Sequence, residues 1–150
     1  MNFTSFKRYL EDINVSEITQ KRIEEIYDSI RQLYETVEIE DIFVCDFNNN
    51  GNKEFTSLWF FTNNQIIECK NFMTKEDFDL TGLKKNVIYF NLKKANFDKW
   101  DAPEDNSSIN IDILFNSGKL SGNLNSSGKN CKYAVDIAKK YFLPNMICTI

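Results

Sequence analysis

The sequence predicts an α+β protein in which an antiparallel sheet is followed by a single helix. Apolar residues recur at every second position in several runs after residue 38, which is the period of a strand. Short turns rich in Asn separate these runs, and short turns join antiparallel neighbours. Residues 129–142 return to a helical period. We expect about six strands in a strongly bent sheet or a barrel, with this last helix packed on it.

Two helices are predicted before the sheet. Residues 3–12 form a short amphipathic segment. A second helix begins after an N-cap at Asn14 or Ser16 and continues to about Glu38. Its apolar stripe consists of Ile23, Ile26, Ile30, Leu33 and Val37. Each helix therefore has one face for the core and one face for solvent.

Six strands are predicted after these helices. They lie at residues 39–47, 54–61, 65–72, 86–92, 108–115 and 119–124. The second strand is apolar on both faces, so we expect Trp59 to be buried; the alternative is an exposed Trp59 that anchors a partner. The fifth strand places alternate residues in the core, namely Ile109, Ile111, Ile113 and Phe115. Residues 73–85 are ambiguous, because Thr74 could cap a helical turn over residues 75–80 that Gly82 ends.

Length and charge limit the classes of function. A chain of 150 residues suits one sizeable core, and we divide it into a helical extension packed on the sheet (residues 1–38) and a β domain with a C-terminal helix (residues 39–150). The formal net charge of −4 argues against a nucleic-acid surface, which needs a net basic face. The start of the chain lacks an apolar signal core, and no window suits a membrane span. We therefore expect a soluble cytosolic protein.

The composition gives little support to catalysis or metal binding. No histidine is present, which excludes Ser-His-Asp and Cys-His nucleophile systems and His-based zinc sites. The cysteines are Cys45, Cys69, Cys131 and Cys148. They form no Cys-x-x-Cys pair, and we expect all of them to be reduced, with Cys45 and Cys69 buried in strands. We predict no enzyme activity, no metal and no cofactor.

Two loops resemble ligand-binding motifs in part. Residues 46–51 match the first half of a calcium loop, but Ser57 stands where the bidentate glutamate belongs, so an Asn-Gly hairpin is favoured. Residues 122–129 resemble a phosphate loop with one residue too many, and Asn130 replaces the hydroxyl residue that binds magnesium. We interpret them as an ordinary loop before a helix, whose N-terminus is physically able to hold an anion.

Two lysine pairs mark the ends of one predicted strand. Lys84 and Lys85 precede it, and Lys93 and Lys94 end it. If both pairs lie close together around this strand, they predict a site for a phosphorylated or acidic partner. The alternative is a set of solvated lysines that deter pairing at the edge of a sheet. These four residues are the candidate binding residues of the chain.

Four segments within residues 40–143 carry a resemblance to a known family. They are FFTNNQIIECKNF, NVIYFNLKKANFDKW, SINIDILFNSGKL and the helical NCKYAVDIAKKYFL. Together they resemble bacterial pleckstrin-homology-like (PH-like) domains. The resemblance implies a PH-like barrel that the final helix closes at one end. The basic phosphoinositide-contacting loop of that family is not evident here, so the resemblance implies binding of a protein rather than of a lipid.

The resulting functional hypothesis is a non-catalytic protein-interaction module in the cytosol. One alternative is an immunity-type inhibitor of a basic toxin, because the small size and the acidic charge suit electrostatic complementarity with a basic partner. The other alternative is an enzyme that uses carboxylates or a cysteine.

Overall fold

The computed structural model contains three α-helices and seven strands in the part of the chain that it describes. That part comprises residues 3–35, 38–49, 52–63, 65–73, 79–84, 87–96, 99, 103–115 and 120–146. The helices are α1 (Thr4–Asp12), α2 (Glu17–Leu33) and α3 (Asn130–Ile137). The strands are β1 (Ile39–Asn49), β2 (Asn52–Thr62), β3 (Gln65–Lys70), β4 (Asp79–Lys84), β5 (Val87–Ala95), β6 (Ser108–Phe115) and β7 (Leu120–Ser127). A π-helical turn (Ala138–Phe142) and a 3-10 turn (Leu143–Asn145) follow α3.

The α+β class is confirmed, but the sheet organisation differs from the expectation. The strands form two antiparallel sheets, with the orders β1-β2-β3-β4 and β5-β6-β7, instead of one sheet of about six strands. The additional strand is β4, whose first residues fall where a helical turn over residues 75–80 was considered. Its sequence, DLTGLK, has no clear alternation. Hydrogen bonding to its sheet neighbour β3, which a local pattern does not reveal, stabilises it as a strand.

Two compact units divide the chain. The first comprises Met1–Val44 and Thr56–Gly82, and the second comprises Cys45–Phe55 and Leu83–Ile150. The division at residue 38 into a helical extension and a β domain stays a prediction. Among the described residues, no helix combines the length and the apolar character that a membrane span requires.

In the first unit, α2 begins where the sequence predicts and ends earlier. Ser16 is its N-cap, since the Ser16 side chain accepts a hydrogen bond of 3.3 Å from the backbone N–H of Thr19. Asn14 takes a left-handed conformation (φ 62°) in the turn that precedes the cap, which Asn tolerates better than most residues. The helix ends at Leu33, whose side chain is 66% exposed. Of the predicted apolar stripe, Ile23, Ile26 and Ile30 are buried, whereas Val37 lies outside the described residues.

The core of the first unit is rich in aromatic side chains. Trp59 is fully buried, which confirms the prediction for this residue, and its ring stacks on that of Phe61 at 6.4 Å. Helix α1 contacts β1 through Tyr9, whose ring stacks on Phe43 and whose hydroxyl accepts a hydrogen bond of 3.0 Å from the Val44 N–H. The two N-terminal helices thus contribute to the same core as β1 and β2 of this unit.

In the second unit, β6 lies between β5 and β7 and has one buried face. Its residues alternate between buried and more exposed positions, as predicted. The buried set is Ile109, Ile111, Ile113 and Phe115. Helix α3 packs against β6 and β7, and Phe142 extends this contact to Phe115 with a ring distance of 6.3 Å. The opposite face of the sheet carries polar side chains.

Candidate functional site

A pocket of about 410 Å³ lies at one end of the three-stranded sheet. Its walls are the end of β5 (residues 93–95), the start of β6 with the loop before it (105–110) and the end of β7 (125–127). Residues 46–48 of β1 complete the wall. All these residues belong to the second unit. The volume falls within the roughly 300–1,000 Å³ that small-ligand sites occupy.

One of the two predicted lysine pairs lines this pocket. Lys93 pairs with Asn110 of β6, and Lys94 pairs with Ile109. Successive residues of a strand point to opposite faces, so Lys93 lies on the polar face and Lys94 on the face that carries Ser126. Both lysines are exposed. The two lysines therefore belong to opposite faces of β5.

The structure does not test the other lysine pair. Lys84 is the last residue of β4, and Lys85 lies outside the described residues. The prediction that these two lysines contribute to binding stays a prediction.

One of the two acidic residues that line the pocket, Asp46, is engaged in contacts within the protein. Its carboxylate is fully buried and accepts hydrogen bonds from the backbone N–H and the hydroxyl of Ser127. The Asn130 amide donates a third hydrogen bond at 2.6 Å, and the Lys53 ammonium lies 3.6 Å away. These contacts, which we call the Asp46 cluster, join β1 and β2 to the end of β7 and the start of α3.

The Asp46 cluster bears on both loop motifs of the sequence. Asp46, the first residue of the calcium-like segment, is directed to Ser127 and Asn130, and the segment's Asn50 and Gly51 lie outside the described residues. The phosphate-like loop precedes α3, and there the Asp46 carboxylate itself supplies negative charge at the helix N-terminus. Within the described residues, no group of three or more His, Cys, Asp or Glu side chains could hold a metal ion.

The loop wall of the pocket is held in place by Ser107. This side chain is buried, donates a hydrogen bond of 2.9 Å to the Asn96 carbonyl and accepts one of 2.8 Å from the Glu104 N–H. The Ser107 carbonyl accepts a further bond from the N–H of Gly128, a glycine with a φ of 54°. The wall is therefore fastened to the ends of both β5 and β7, and the pocket has a defined shape.

Polar side chains continue from the pocket across the outer face of the sheet. The Asn123 amide donates hydrogen bonds of 2.8 Å to Asn110 and 2.7 Å to Asp112. The Asn110 amide in turn donates a hydrogen bond of 3.4 Å to the Asp112 carboxylate. These contacts fix the orientation of Asn110, which also lines the pocket.

The inner wall of the pocket contains a buried hydroxyl, that of Ser126. The residue is 2% exposed, and its hydroxyl makes a side-chain hydrogen bond with the Cys131 thiol, which lowers the pKa of that thiol in part. Burial raises the pKa of the Cys131 thiol to about 11, so the thiol is protonated at neutral pH. A protonated thiol is a poor nucleophile and a poor metal ligand.

A second concavity, of about 510 Å³, lies between α1 and α2 in the first unit. It is lined by Lys7, Glu11, Glu17, Gln20, Lys21 and Glu24. The mixture of acidic and basic side chains is typical of a solvated helix surface, as the sequence predicted for these faces.

Sequence reasoning identified the lysines of the pocket and considered Asp46 only as part of a calcium-like loop, and it assigned no role in a site to Ser107 or Ser126. Asp46 meets its partners 81 and 84 positions away in the chain, and a single sequence carries no signal for such pairs. Ser107 and Ser126 are ordinary loop and strand residues in their local context.

Comparisons with protein-family models, with curated proteins and with solved structures each return no match for this chain. The function therefore has to be argued from the site alone.

Proposed function

We propose that this chain is a non-catalytic protein-interaction module that acts in the cytoplasm and contacts its partner at the pocket of Lys93 and Lys94. The observation that carries the proposal is the balance of charge at this pocket. Two exposed lysines and the exposed Asp105 line it, while its buried carboxylate, Asp46, already has the Lys53 ammonium at 3.6 Å. The pocket thus offers positive charge on a chain whose net charge is −4. A positively charged pocket on an otherwise acidic protein is suited to bind a negatively charged surface of a partner.

The chemistry of the pocket supports a binding role over a catalytic one. General acid–base catalysis needs a side chain that can exchange a proton near neutral pH. The chain has no histidine, and the pKa of Cys131, which lies beside the pocket residue Ser126, is raised to about 11 by burial. Apart from Asp46 and Asp105, the polar residues of the pocket are amides, hydroxyls and lysines, which are suited to binding.

The proposal is tested by capture of partners with three forms of the full chain. The forms are the wild type, a pocket variant (Lys93→Glu with Lys94→Glu) and a control variant (Lys132→Glu with Lys139→Glu). Both variants replace two lysines with glutamates and therefore change the net charge equally. Lys132 and Lys139 are exposed and lie outside the pocket wall, so their replacement serves as the control. Circular dichroism first checks that each form is folded.

We expect a protein from the native host to be enriched with the wild type and the control, and depleted at least about tenfold with the pocket variant. Calorimetry with the purified partner should then give a stoichiometric complex. Enrichment that is equal for all three forms would contradict the proposal. If the captured protein is also basic, that result supports the alternative of an immunity-type inhibitor.

We also propose that the fold is a PH-like barrel. Seven strands in two antiparallel sheets, followed by a single helix, support this relationship. A backbone NMR map of strand pairing tests it, because a closed barrel requires hydrogen-bonded pairing between a strand of one sheet and a strand of the other. An open pairing pattern at the edges of both sheets would exclude closure.

A further inference from the structure

Strand β5 lies at the edge of its three-stranded sheet, with β6 on one side. On the other side, its first residue, Val87, forms a bridge with Met146. From Tyr89 to Lys93, no strand in the described part of the chain pairs with this side. An edge strand presents backbone N–H and C=O groups that are able to pair with a strand of another chain. The open edge of β5 is therefore able to extend the sheet across a molecular boundary.

The inner face of the sheet is incompletely covered at this edge. Phe90 and Leu92 are half-buried, whereas the residues opposite them on β6 are buried. Leu143, in the 3-10 turn that contacts β5, is 49% exposed, and Met146 is 41% exposed. Apolar surface therefore continues up to the open edge. A further strand beside β5 would remove this surface from water, which is favourable.

The sequence of the edge is complementary to itself. Two copies of β5 that pair antiparallel about a two-fold axis at Asn91 place each residue before Asn91 opposite the residue at the same distance after it. Phe90 then lies opposite Leu92, so apolar side chains meet on the inner face. Tyr89 lies opposite Lys93 on the polar face, where an ammonium group over an aromatic ring is favourable. Asn91 lies opposite its own copy, and two amides are able to exchange hydrogen bonds.

The charge of the strand is compatible with this arrangement. Lysine on an edge strand opposes pairing when its charge meets apolar groups or a like charge. In the two-fold arrangement, Lys93 of each copy meets the exposed Tyr89 ring of the other. The two Lys93 positions are four residues apart along the paired strands, which is about 13 Å. Asp112, opposite Asn91 on β6, adds negative charge to the same face between them.

We propose that the chain forms a two-fold symmetric dimer through β5, in which residues 89–93 of two copies pair antiparallel and Asn91 lies at the axis. The two three-stranded sheets then form one continuous sheet in the order β7-β6-β5-β5-β6-β7. The contact area is small, so the dimer is weak, with a Kd on the order of 10–100 µM. This inference goes beyond the proposed function and does not depend on it.

Cysteine cross-linking of the full chain tests the register. All forms carry Cys148→Ser, since Cys148 lies outside the described residues and the other three cysteines are buried. Opposite residues of an antiparallel pair have Cα atoms about 4.5–5.5 Å apart, which suits a disulfide. We expect Asn91→Cys to give a disulfide-linked dimer on mild oxidation. Ser121→Cys, exposed on β7, is the control and should stay monomeric.

A mixing experiment fixes the register further. Tyr89→Cys and Lys93→Cys should each form little dimer alone, because each faces a different residue of the other copy. An equal mixture of the two should cross-link, since the register places these positions opposite each other.

Sedimentation equilibrium without oxidation measures the association itself. Between about 10 and about 500 µM, which brackets the expected Kd, the average mass should rise from one chain toward two. Leu92→Glu should weaken the dimer at least about tenfold, because it places a carboxylate opposite Phe90 of the other copy. Ser121→Glu is the matched control and should leave the association unchanged. Circular dichroism checks that each form is folded.

Several results would overturn the inference. A wild type that has the mass of one chain at every concentration would exclude the dimer. Equal cross-linking of Asn91→Cys and Ser121→Cys would mean random collision. Efficient cross-linking of Tyr89→Cys with itself would exclude an axis at Asn91. Equal weakening by Leu92→Glu and Ser121→Glu would show that association depends on net charge and not on the edge of β5.

Discussion

Trp59 shows how far one residue can be predicted from its neighbours. The prediction of burial used only the apolar residues on both faces of the second strand. In the structure Trp59 is fully buried, as are Leu58 and Phe60, which alternate with it along β2. A strand with apolar side chains on both faces needs cover on both sides, and that requirement is visible in the local sequence.

Replacement of this side chain is expected to destabilise the protein severely. Trp59→Ala should lower the free energy of unfolding by about 3–5 kcal/mol, because it leaves a large cavity. For a domain of this size the thermal midpoint should fall by roughly 6–20 °C. Tyr89→Ala is the control, since Tyr89 is 48% exposed and should change the midpoint little. A Trp59→Ala protein with an unchanged midpoint by circular dichroism would contradict the burial.

Asp46 is the opposite case, a residue whose role depends on distant parts of the chain. Asp46→Ala removes the carboxylate that accepts hydrogen bonds from Ser127 and Asn130 and that lies beside the Lys53 ammonium. Hydrogen bonds to a charged group contribute about 1.5–3 kcal/mol each, so we expect a loss of at least about 3 kcal/mol in urea unfolding. Asp46→Asn keeps one acceptor oxygen and should lose less. Asp136→Ala, an exposed carboxylate on α3, is the control. A loss no larger than that of the control would show that the cluster is not stabilising.

At the scale of the element, the local sequence is sufficient to predict a strand where one face is buried and the other is exposed to solvent. β6 is found at its predicted bounds, because its burial alternates at every position. β4 was not predicted as a strand, because DLTGLK has no alternation and its pairing with β3 is tertiary. The end of α2 was placed too late, because Leu33 continues the apolar period while its side chain is 66% exposed.

The start of α2 gives a prediction on capping. Ser16→Ala removes the acceptor for the Thr19 N–H and should reduce stability by about 0.5–2 kcal/mol. Ser29→Ala is the matched control, since Ser29 lies inside the same helix and its hydroxyl donates to the Glu25 carbonyl. Alanine is the better helix former there, so this change should be neutral or slightly stabilising. Chemical denaturation of both variants measures the difference, and equal midpoints would exclude Ser16 as the cap.

At the scale of the whole molecule, the chemical accessibility of the cysteine thiols measures whether the folded protein unfolds. Cys45, Cys69 and Cys131 are buried and are not in disulfide bonds. We expect iodoacetamide at pH 8 to leave these three unlabelled in the native protein and to label them in guanidinium chloride. Peptide mapping by mass spectrometry identifies the labelled positions. Intact mass under non-reducing conditions should show no loss of protons for any of the four cysteines, and a loss of two or four would contradict the reduced state.

The last prediction concerns stability at alkaline pH. Burial holds the pKa of Cys131 at about 11 in the folded protein, whereas a thiol in an unfolded chain has a pKa of about 8.5. The protonated thiol is therefore favoured by folding, and this contribution is complete below about pH 8.5 and is lost as the pH rises toward 11. We expect the urea midpoint to fall between pH 8 and pH 10, and to fall less steeply in Cys131→Ala, whose stability at pH 8 is lower. The Tyr27 phenol is also buried, which raises its pKa. Tyr27 is present in both proteins, so its contribution cancels and the comparison isolates Cys131. Parallel curves for the two proteins would mean that the thiol is not shielded from water.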